Sequence, residues 1–191
     1  MQHGQTGPDA EGDGPDRIQE LKQLAVAYYE HVHQNRTAEL AYAVGGESFT
    51  AVDYFRRRGH STETLDHFHV GLADGHFYQF ALGQGYTQNE LRRAGLLKPN
   101  SPRDYWSAGL VLFPHCVDGQ VSHFSQKDPS GRYGYQAKNE HRHPGCLWQN
   151  QDAARNVTEL LLVEGENDLL SVAGKASYEA VIACNGSLSQ R

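Results

Sequence analysis

The stretch LLLVEGENDLLSV, residues 160–172, indicates the fold class of this chain more clearly than any other segment. It begins with four apolar residues, 160–163, which predict a buried strand. The strand ends at a carboxylate, Glu164, and Gly165 then permits a tight turn. Apolar residues at helical spacing follow from Leu169 onward. The stretch therefore predicts a strand, a turn that carries an acid, and a helix.

Two acidic residues lie in this predicted unit where a ligand would be expected. In open α/β sheets, ligands gather at the carboxyl ends of the strands. Glu164 stands at that point, and Asp168 follows four residues later. Carboxylate oxygens suit Mg²⁺, which usually keeps several waters and bridges to substrate phosphates. From these residues alone two interpretations stay open: a site for a hard divalent cation, or an ordinary strand-to-helix turn with solvated acids.

A last strand is predicted at residues 180–183, so the sequence ends in the order strand, helix, strand. This order is typical of a parallel sheet, in which the helix crosses over between two strands. Two parallel strands alone would be poorly covered, and the sequence stops at Arg191, where a further helix would begin. We therefore expect the chain to be a fragment of a longer protein.

The first hundred residues predict mainly helices. Gly45-Gly46 interrupts them, and Thr50 with Asp53 has the pattern of a capping box for a helix that closes at Gly59. Helices are predicted over residues 18–32, 50–59, 61–68 and 89–94.

The middle of the sequence changes to a β pattern. A strand-like run at residues 110–113 is stopped by Pro114, and Asp118-Gly119 is a strong hairpin turn before a return strand at residues 121–125. A turn at residues 127–131, a third strand at 132–136 and a short helix near Asp152 are predicted after it.

These patterns predict an α+β protein: a helical and antiparallel-sheet N-terminal subdomain, followed by the start of an α/β domain. Residues 1–15 are rich in Gly, Gln, Asp and Pro and predict a disordered lead. The first subdomain is predicted over residues 16–156 and the second over residues 157–191.

The composition excludes several classes of protein. The chain has 191 residues, of which 38% are apolar and 21% charged, which is enough to bury a globular core. No apolar run approaches about 20 residues, and no secretory signal pattern begins the sequence. Cys116, Cys146 and Cys184 do not form a disulfide framework, so we expect a cytoplasmic protein.

The net charge of −6 gives no positive support for nucleic-acid binding. Four acidic residues and no Lys or Arg fall within residues 1–16, which leaves a charge of −2 for the rest of the chain. Local basic clusters can still bind phosphate on such a body, because salt screens distant charges within about 8 Å.

Five blocks of sequence carry a resemblance to a known family. They are AVDYFRRRGHSTETLDHFHVG (51–71), AGLL (94–97), LVLFPHCVDGQVSHFSQKD (110–128), CLWQNQDA (146–153) and LLLVEGENDLLSVAGKASYEAVIACNGSLS (160–189). Their order resembles the catalytic core of bacterial and phage DNA primases of the DnaG type, over residues 17–191. The last block is similar to the start of a TOPRIM domain, the metal-binding fold of primases and topoisomerases.

The resemblance implies a parent protein that copies single-stranded DNA template into short RNA primers from nucleoside triphosphates during DNA replication. A replicative helicase is the implied partner of that protein, and no membrane is involved. Glu164 is implied as the catalytic residue, either a general acid/base or a metal-site carboxylate. Glu164 and Asp168 are implied as ligands of Mg²⁺ or Mn²⁺.

The sequence departs from the family pattern in three places. The second acidic cluster of the family, Asp-x-Asp, would lie beyond Arg191, and the N-terminal zinc-binding domain is absent. The arginine that usually ends the hairpin is Lys127 here, and the Arg-rich stretch before the hairpin reads YWSAGL, residues 105–110. We therefore expect weak or no Mg²⁺ binding, and no primer synthesis by these residues alone.

Two groups of basic residues are candidates for binding nucleic acid. The first flanks the hairpin and its following loop and consists of Lys127, Arg132 and Lys138, with Tyr133 and Tyr135 as stacking surfaces. In the family this subdomain forms a wall of the cleft that holds template and nucleotide phosphates. The second group is Arg57 and Arg58, next to Arg56, at the end of a predicted helix. A solvated hairpin rim and a solvated helix end are the alternatives.

Histidines and cysteines raise the question of a zinc site. They are His115, Cys116, His123, His141, His143 and Cys146. Because no CxxC pair accompanies the His143-x-x-Cys146 spacing, we do not expect zinc, and we expect the histidines to line a polar loop.

Two other functions stay open from the sequence. The missing Asp-x-Asp suggests a non-catalytic module with a primase-like fold that binds single-stranded DNA or another protein. A different TOPRIM enzyme, such as a nuclease or topoisomerase, is disfavoured by the upstream blocks.

Overall fold

The structure, a computed structural model, describes residues 14–131, 149–176 and 178–184. Within these residues the α-helices are α1 (Pro15–Asn35), α2 (Ala51–Arg57), α3 (Thr62–His67), α4 (Phe77–Gly83), α5 (Gln88–Arg93) and α6 (Glu166–Lys175). The strands are β1 (Tyr42–Val44), β2 (Glu47–Phe49), β3 (Gly71–Leu72), β4 (Val111–Val117), β5 (Gln120–Lys127), β6 (Leu161–Val163) and β7 (Val181–Ala183). Short 3₁₀ helices cover Thr37–Leu40 and Gln151–Ala154. The α+β class predicted from the sequence is confirmed.

Helix α1 confirms the first predicted helix and extends it at both ends. Pro15 occupies its first turn, where a missing N–H costs nothing, and Asp16 complements the positive end of the helix dipole. Leu21, Ala25 and Tyr29 recur every four residues and are fully or almost fully buried. This face of α1 contacts β3, β5 and α5.

Side-chain caps define the starts of the short helices. The predicted capping box is present at α2, where Thr50 Oγ1 accepts from the Asp53 amide at 3.2 Å and Asp53 Oδ2 accepts from the Thr50 amide at 2.9 Å. A second capping box, which joins Thr87 and Glu90 by the same two contacts, begins α5. Helix α4 carries no such cap, and the sequence pattern did not predict it.

Gly45 and Gly46 do more than interrupt the chain. Their φ angles of 59° and 84° form a tight turn, and β1 and β2 pair antiparallel on either side of it. Each strand has only three residues, which is too short for an alternating pattern to stand out in the sequence.

The long hairpin of β4 and β5 is the centre of the structure, and β3 pairs with β4 to make a three-stranded antiparallel sheet. The predicted turn is confirmed, with φ angles of 55° at Asp118 and 71° at Gly119. Positive φ at both central residues is the geometry that a two-residue hairpin turn needs.

Pro114 does not end the strand, contrary to the prediction. Strand β4 runs on to Val117, and Pro114 pairs with Phe124. Within the described residues the ladder between β3 and β4 ends at Leu112. A proline is tolerated in a strand where its nitrogen faces a side without a partner strand, so the hairpin continues through it.

Strands β6 and β7 pair in parallel, and α6 connects them, as the sequence predicted. The prediction that the strand at residues 160–163 is buried was wrong. Leu161 is 42% exposed and Leu162 is 48% exposed, whereas all three residues of β7 are fully buried. Within the described residues β6 pairs only with β7, so its other edge and part of its surface stay open.

The two faces of the central hairpin belong to different apolar clusters. Leu112 and Phe124 pack with Tyr29 of α1 in one cluster. Phe113 points to the opposite face, because neighbouring residues of a strand alternate, and it packs in the other cluster with Leu170 of α6. The hairpin therefore separates the face of α1 that carries Tyr29 from α6.

Parts of two sequence predictions fall outside the described residues: the third strand at 132–136 and residues 1–13 of the predicted lead. None of the described helices has the length and apolar character that crossing a membrane requires.

Candidate functional site

The acidic turn, residues 164–168, lies at the carboxyl end of β6. Glu164 directly follows the strand and Asp168 lies in the first turn of α6, where its amide donates to the Gly165 carbonyl at 3.1 Å. Both carboxylates are exposed. An acid in the first helical turn is stabilised by the helix dipole, and a strand end is where an α/β sheet binds ligands. The turn therefore has the placement that the sequence predicted.

The fit of Mg²⁺ to this turn is partial. Glu164 and Asp168 offer the oxygen ligands that Mg²⁺ prefers. Phosphoryl-transfer metals are held by several such groups, and the described residues contain no cluster of three His, Cys, Asp or Glu side chains that could hold a metal ion. The donor type of the turn is suitable, and further ligands would be needed to complete a site.

A third acid of the turn, Glu166, has a different environment. Its side chain is only 7% exposed, and Oε1 accepts a hydrogen bond from Ser125 Oγ of β5 at 2.6 Å. Ser125 Oγ is also 2.9 Å from His115 Nε2 of β4. No spacing in the sequence indicates this contact, because Ser125 and Glu166 are 41 residues apart. Glu166 was not among the predicted site residues.

The residues considered for zinc divide into two groups. His115 and His123 are buried on the central hairpin, where they are paired across the strands and their rings stack at 4.3 Å. The prediction that these histidines line a polar loop was therefore wrong for His115 and His123, which lie on strands. Cys116 is the next residue of β4. His141, His143 and Cys146 lie outside the described residues.

The arginines at the end of α2 rest on aromatic side chains. The Arg57 guanidinium lies 5.3 Å from the centre of the Phe49 ring, and that of Arg58 lies 4.7 Å from the centre of the Tyr54 ring. Arg57 also contacts a Glu47 carboxylate oxygen at 3.2 Å. For Arg58, in contrast, no carboxylate partner occurs among the described residues. Arg58 is therefore the better placed of the two to meet an external anion.

Helix α2 lies beside α6, so the arginine group and the acidic turn are on contacting elements. Asn167 Nδ2 donates to the Tyr54 hydroxyl at 3.3 Å, and Lys175 Nζ donates to the Arg58 carbonyl at 2.7 Å. Asn167 belongs to the acidic turn, whereas Lys175 ends the helix. The Arg58 carbonyl thus lies at the end of α6 remote from Glu164, whereas its guanidinium lies over the Tyr54 ring, whose hydroxyl contacts Asn167.

His60 lies next to these cations. Burial lowers the pKa of His60 below its ordinary value, and the charges of Lys175 and Arg58 lower the pKa further. A neutral His60 adds no charge to the arginine group, and the neighbouring cations are Arg58 and Lys175.

Lys127 ends β5, half-exposed, on the same face of the hairpin as Ser125. Because strand residues two apart lie about 7 Å from each other on one face, Lys127 lies close to the contact with Glu166. The other predicted members of the hairpin group are Arg132, Tyr133, Tyr135 and Lys138, and all four lie outside the described residues.

No family model and no curated protein matches the sequence. Solved structures match the fold closely. The RNA polymerase domain of Mycobacterium tuberculosis primase DnaG, in complex with a double-stranded DNA oligomer with a 6-nucleotide overhang, has a TM-score of 0.74 and 19% identity; the match covers 94% of this chain and 57% of that one.

Two further structures agree with this match. The DnaG primase catalytic domain bound to single-stranded DNA has a TM-score of 0.68 and 23% identity, over 89% of this chain and 54% of that one. The E. coli primase catalytic core has a TM-score of 0.66 and 21% identity, over 88% and 55%. This chain therefore spans somewhat more than half of those cores, and over that span it has the fold of the DnaG primase catalytic core.

Proposed function

We propose that this chain is part of a DNA primase, which synthesises short RNA primers on a single-stranded DNA template during DNA replication. The observation that carries the proposal is the match of about nine-tenths of the chain to DnaG catalytic cores, among them one bound to single-stranded DNA. The acidic turn and the arginine group lie on elements within that match. A cytoplasmic replication protein with a helicase partner is the corresponding biological setting.

The proposed chemistry is nucleotidyl transfer, with residues 157–191 as the first half of a TOPRIM domain. Mg²⁺ or Mn²⁺, when bound, neutralises charge on the reacting phosphates. Glu164 and Asp168 would hold the ion together with ligands from elsewhere, and Glu164 is the candidate catalytic carboxylate. Arg58, without a carboxylate partner among the described residues, is the candidate contact for a template or nucleotide phosphate.

Single-stranded DNA binding tests the template surface. We expect an Arg57→Ala, Arg58→Ala double variant to bind a labelled oligonucleotide about tenfold more weakly than the wild type in fluorescence anisotropy. The slope of log affinity against log salt should fall by about 0.7 for each phosphate that the variant no longer neutralises. A second variant, Lys127→Ala, tests the hairpin as the other wall of the cleft.

The matched control removes the same charge from another part of the surface. Lys98 and Arg103 are exposed, and they are next in the chain to Leu97 and Asp104, which form an isolated β-bridge. Leu97 packs in the apolar cluster that contains Tyr29 of α1. Lys98→Ala, Arg103→Ala should leave affinity and slope unchanged. Equal weakening by both double variants would mean that binding follows net charge alone. Unchanged binding in all variants would remove the arginine group and Lys127 from the template surface.

One observation favours a second candidate, a non-catalytic module that binds single-stranded DNA. Within the described residues the acidic turn exposes two carboxylates, Glu166 is bonded inward to Ser125, and no group of three His, Cys, Asp or Glu side chains could hold a metal ion. A primer-synthesis assay of the full protein that carries this chain, with template, nucleoside triphosphates and Mg²⁺, separates the two candidates. Product that is lost with Glu164→Gln supports the enzyme, whereas DNA binding without any product supports the module.

A further inference from the structure

Glu166 connects the acidic turn to the central hairpin. It is the first residue of α6, and its neighbours two positions away on either side are the exposed carboxylates Glu164 and Asp168. Its own side chain points inward and accepts from Ser125 Oγ at 2.6 Å. The turn therefore presents two acids to solvent and uses the acid between them as an internal contact.

Proton counting defines the state of the next residue in this contact. A serine hydroxyl has one proton, and Ser125 uses that proton to donate a hydrogen bond to the Glu166 carboxylate. The 2.9 Å contact between Ser125 Oγ and His115 Nε2 then requires a proton on that ring nitrogen, which donates to the serine oxygen. His115 therefore donates to Ser125, and Ser125 donates to Glu166.

His115, the first donor of these two hydrogen bonds, is held in place within the hairpin. The His115 ring stacks on that of His123, with centres 4.3 Å apart and an angle of 26° between the planes. His123 Nδ1 is in turn 3.0 Å from Ser122 Oγ. His115, Ser122, His123 and Ser125 are each at most 2% exposed. Glu166 is thus bonded to a packed part of the sheet.

The N-terminus of α6 has no side-chain cap among the described residues. Gly165, which precedes the helix, makes no side-chain cap, and a Cβ atom added there would meet nothing within 4 Å among the described residues. The hydrogen bond of Glu166 therefore ties the turn to the hairpin, and Asn167 ties it to Tyr54 of α2.

We infer that Glu166 and Ser125 are positioning residues, which hold the Glu164 carboxylate at a fixed place relative to the hairpin that carries Lys127. This role rests on the proposed primase function, since a fixed carboxylate matters when it must meet a reacting phosphate. Neither residue needs to touch substrate. The hydrogen bonds from His115 to Ser125 and from Ser125 to Glu166 set the orientation of the Glu166 side chain.

Nuclear magnetic resonance of the full 191-residue chain tests the contact without any enzymatic assay. Long-range ¹⁵N–¹H spectra should show a proton on His115 Nε2 in the wild type. In Ser125→Ala we expect that signal to change, and the first-turn amides of Asp168 and Leu169 to exchange hydrogen about tenfold faster. Glu166→Gln, whose amide oxygen can still accept from Ser125, should keep the wild-type signal and exchange rates.

The control is Ser171→Ala, which removes the same hydroxyl from α6 itself. Ser171 Oγ donates to the Asn167 carbonyl at 2.9 Å, and we expect its removal to leave the His115 signal unchanged. A wild-type His115 without a proton on Nε2, or first-turn amides that exchange at the wild-type rate in Ser125→Ala, would overturn the inference.

Steady-state primer synthesis by the protein that carries this chain gives the functional readout. Ser125→Ala should lower kcat about tenfold, with KM for nucleoside triphosphates and affinity for single-stranded DNA unchanged. A kcat equal to that of the wild type would overturn the positioning role. Wild-type protein that makes no primer counts against the proposed function instead, and the spectra still decide whether the contact holds the turn.

Discussion

Three acids alternate along the turn after β6, and their side chains have two environments. Glu164 and Asp168 are exposed, whereas Glu166 is bonded to Ser125. The sequence identified the two exposed acids because their place after a predicted strand is informative by itself. Glu166 and Ser125 are distant in the chain and meet only when α6 packs on the hairpin, so no local pattern could have indicated the pair.

Two buried histidines make the stability of the protein depend on pH. Burial lowers the pKa of His33 and of His60, and both are neutral in the folded state at neutral pH. The unfolded chain binds protons at these sites near the ordinary pKa of 6.5, before the folded protein does. The free energy of unfolding is therefore fully retained above that value and falls as the pH drops through it.

Urea denaturation at about pH 8 and about pH 5.5 checks this expectation. The midpoint should be lower at acidic pH, and His33→Phe should reduce the difference, because its ring fills the same space beside Phe55 without titrating. Equal midpoints at both pH values in the wild type would contradict this pH dependence.

At the scale of elements, the capped helices, the central hairpin and the strands β6 and β7 were predictable, whereas β1, β2 and β3 were not. Thr50 with Asp53 and Asp118 with Gly119 are local signals, whose meaning depends on neighbours in the chain. Strand β3 has only two residues and pairs with the seven-residue β4, so it depends on a partner that is distant in the chain. Pro114 misled because its tolerance depends on a distant partner: the pairing of β4 with β3 stops at Leu112, opposite Gly71.

The capping box of α5 gives a prediction for one helix. Thr87→Ala removes the side chain that accepts from the Glu90 amide, so we expect a decrease of about 1 kcal/mol in the free energy of unfolding. Thr62, exposed at the first position of α3, is the matched control, and Thr62→Ala should change stability by less than about 0.5 kcal/mol. Chemical denaturation followed by circular dichroism measures both, and equal decreases would contradict the capping argument.

At the scale of the whole molecule, α6 and the N-terminal helices share one apolar cluster. Leu170 of α6 is fully buried with Phe55 of α2 and Phe113 of β4. The sequence predicted an apolar side for this helix, but it could not show which distant residues cover that side. This shared packing couples the helical and parallel-sheet parts of the described chain.

Leu170→Ala tests the coupling. Removal of this buried side chain should cost about 2–5 kcal/mol, and the protein should still unfold in one transition. Leu82 is 41% exposed, and Leu82→Ala should change stability by less than about 0.5 kcal/mol. Thermal unfolding followed by near-ultraviolet and far-ultraviolet circular dichroism would show two separate midpoints in the Leu170 variant if the parts were independent.

The open edge of β6 has a consequence for handling the protein. Leu161 and Leu162 expose apolar surface beside a row of backbone groups that β7 does not use, and the described strand has no lysine, proline or bulge to block it. Such an edge is a template for another strand. Concentrated samples of this chain should scatter light progressively with time, and a single charge placed on that strand, Leu162→Lys, should keep them clear.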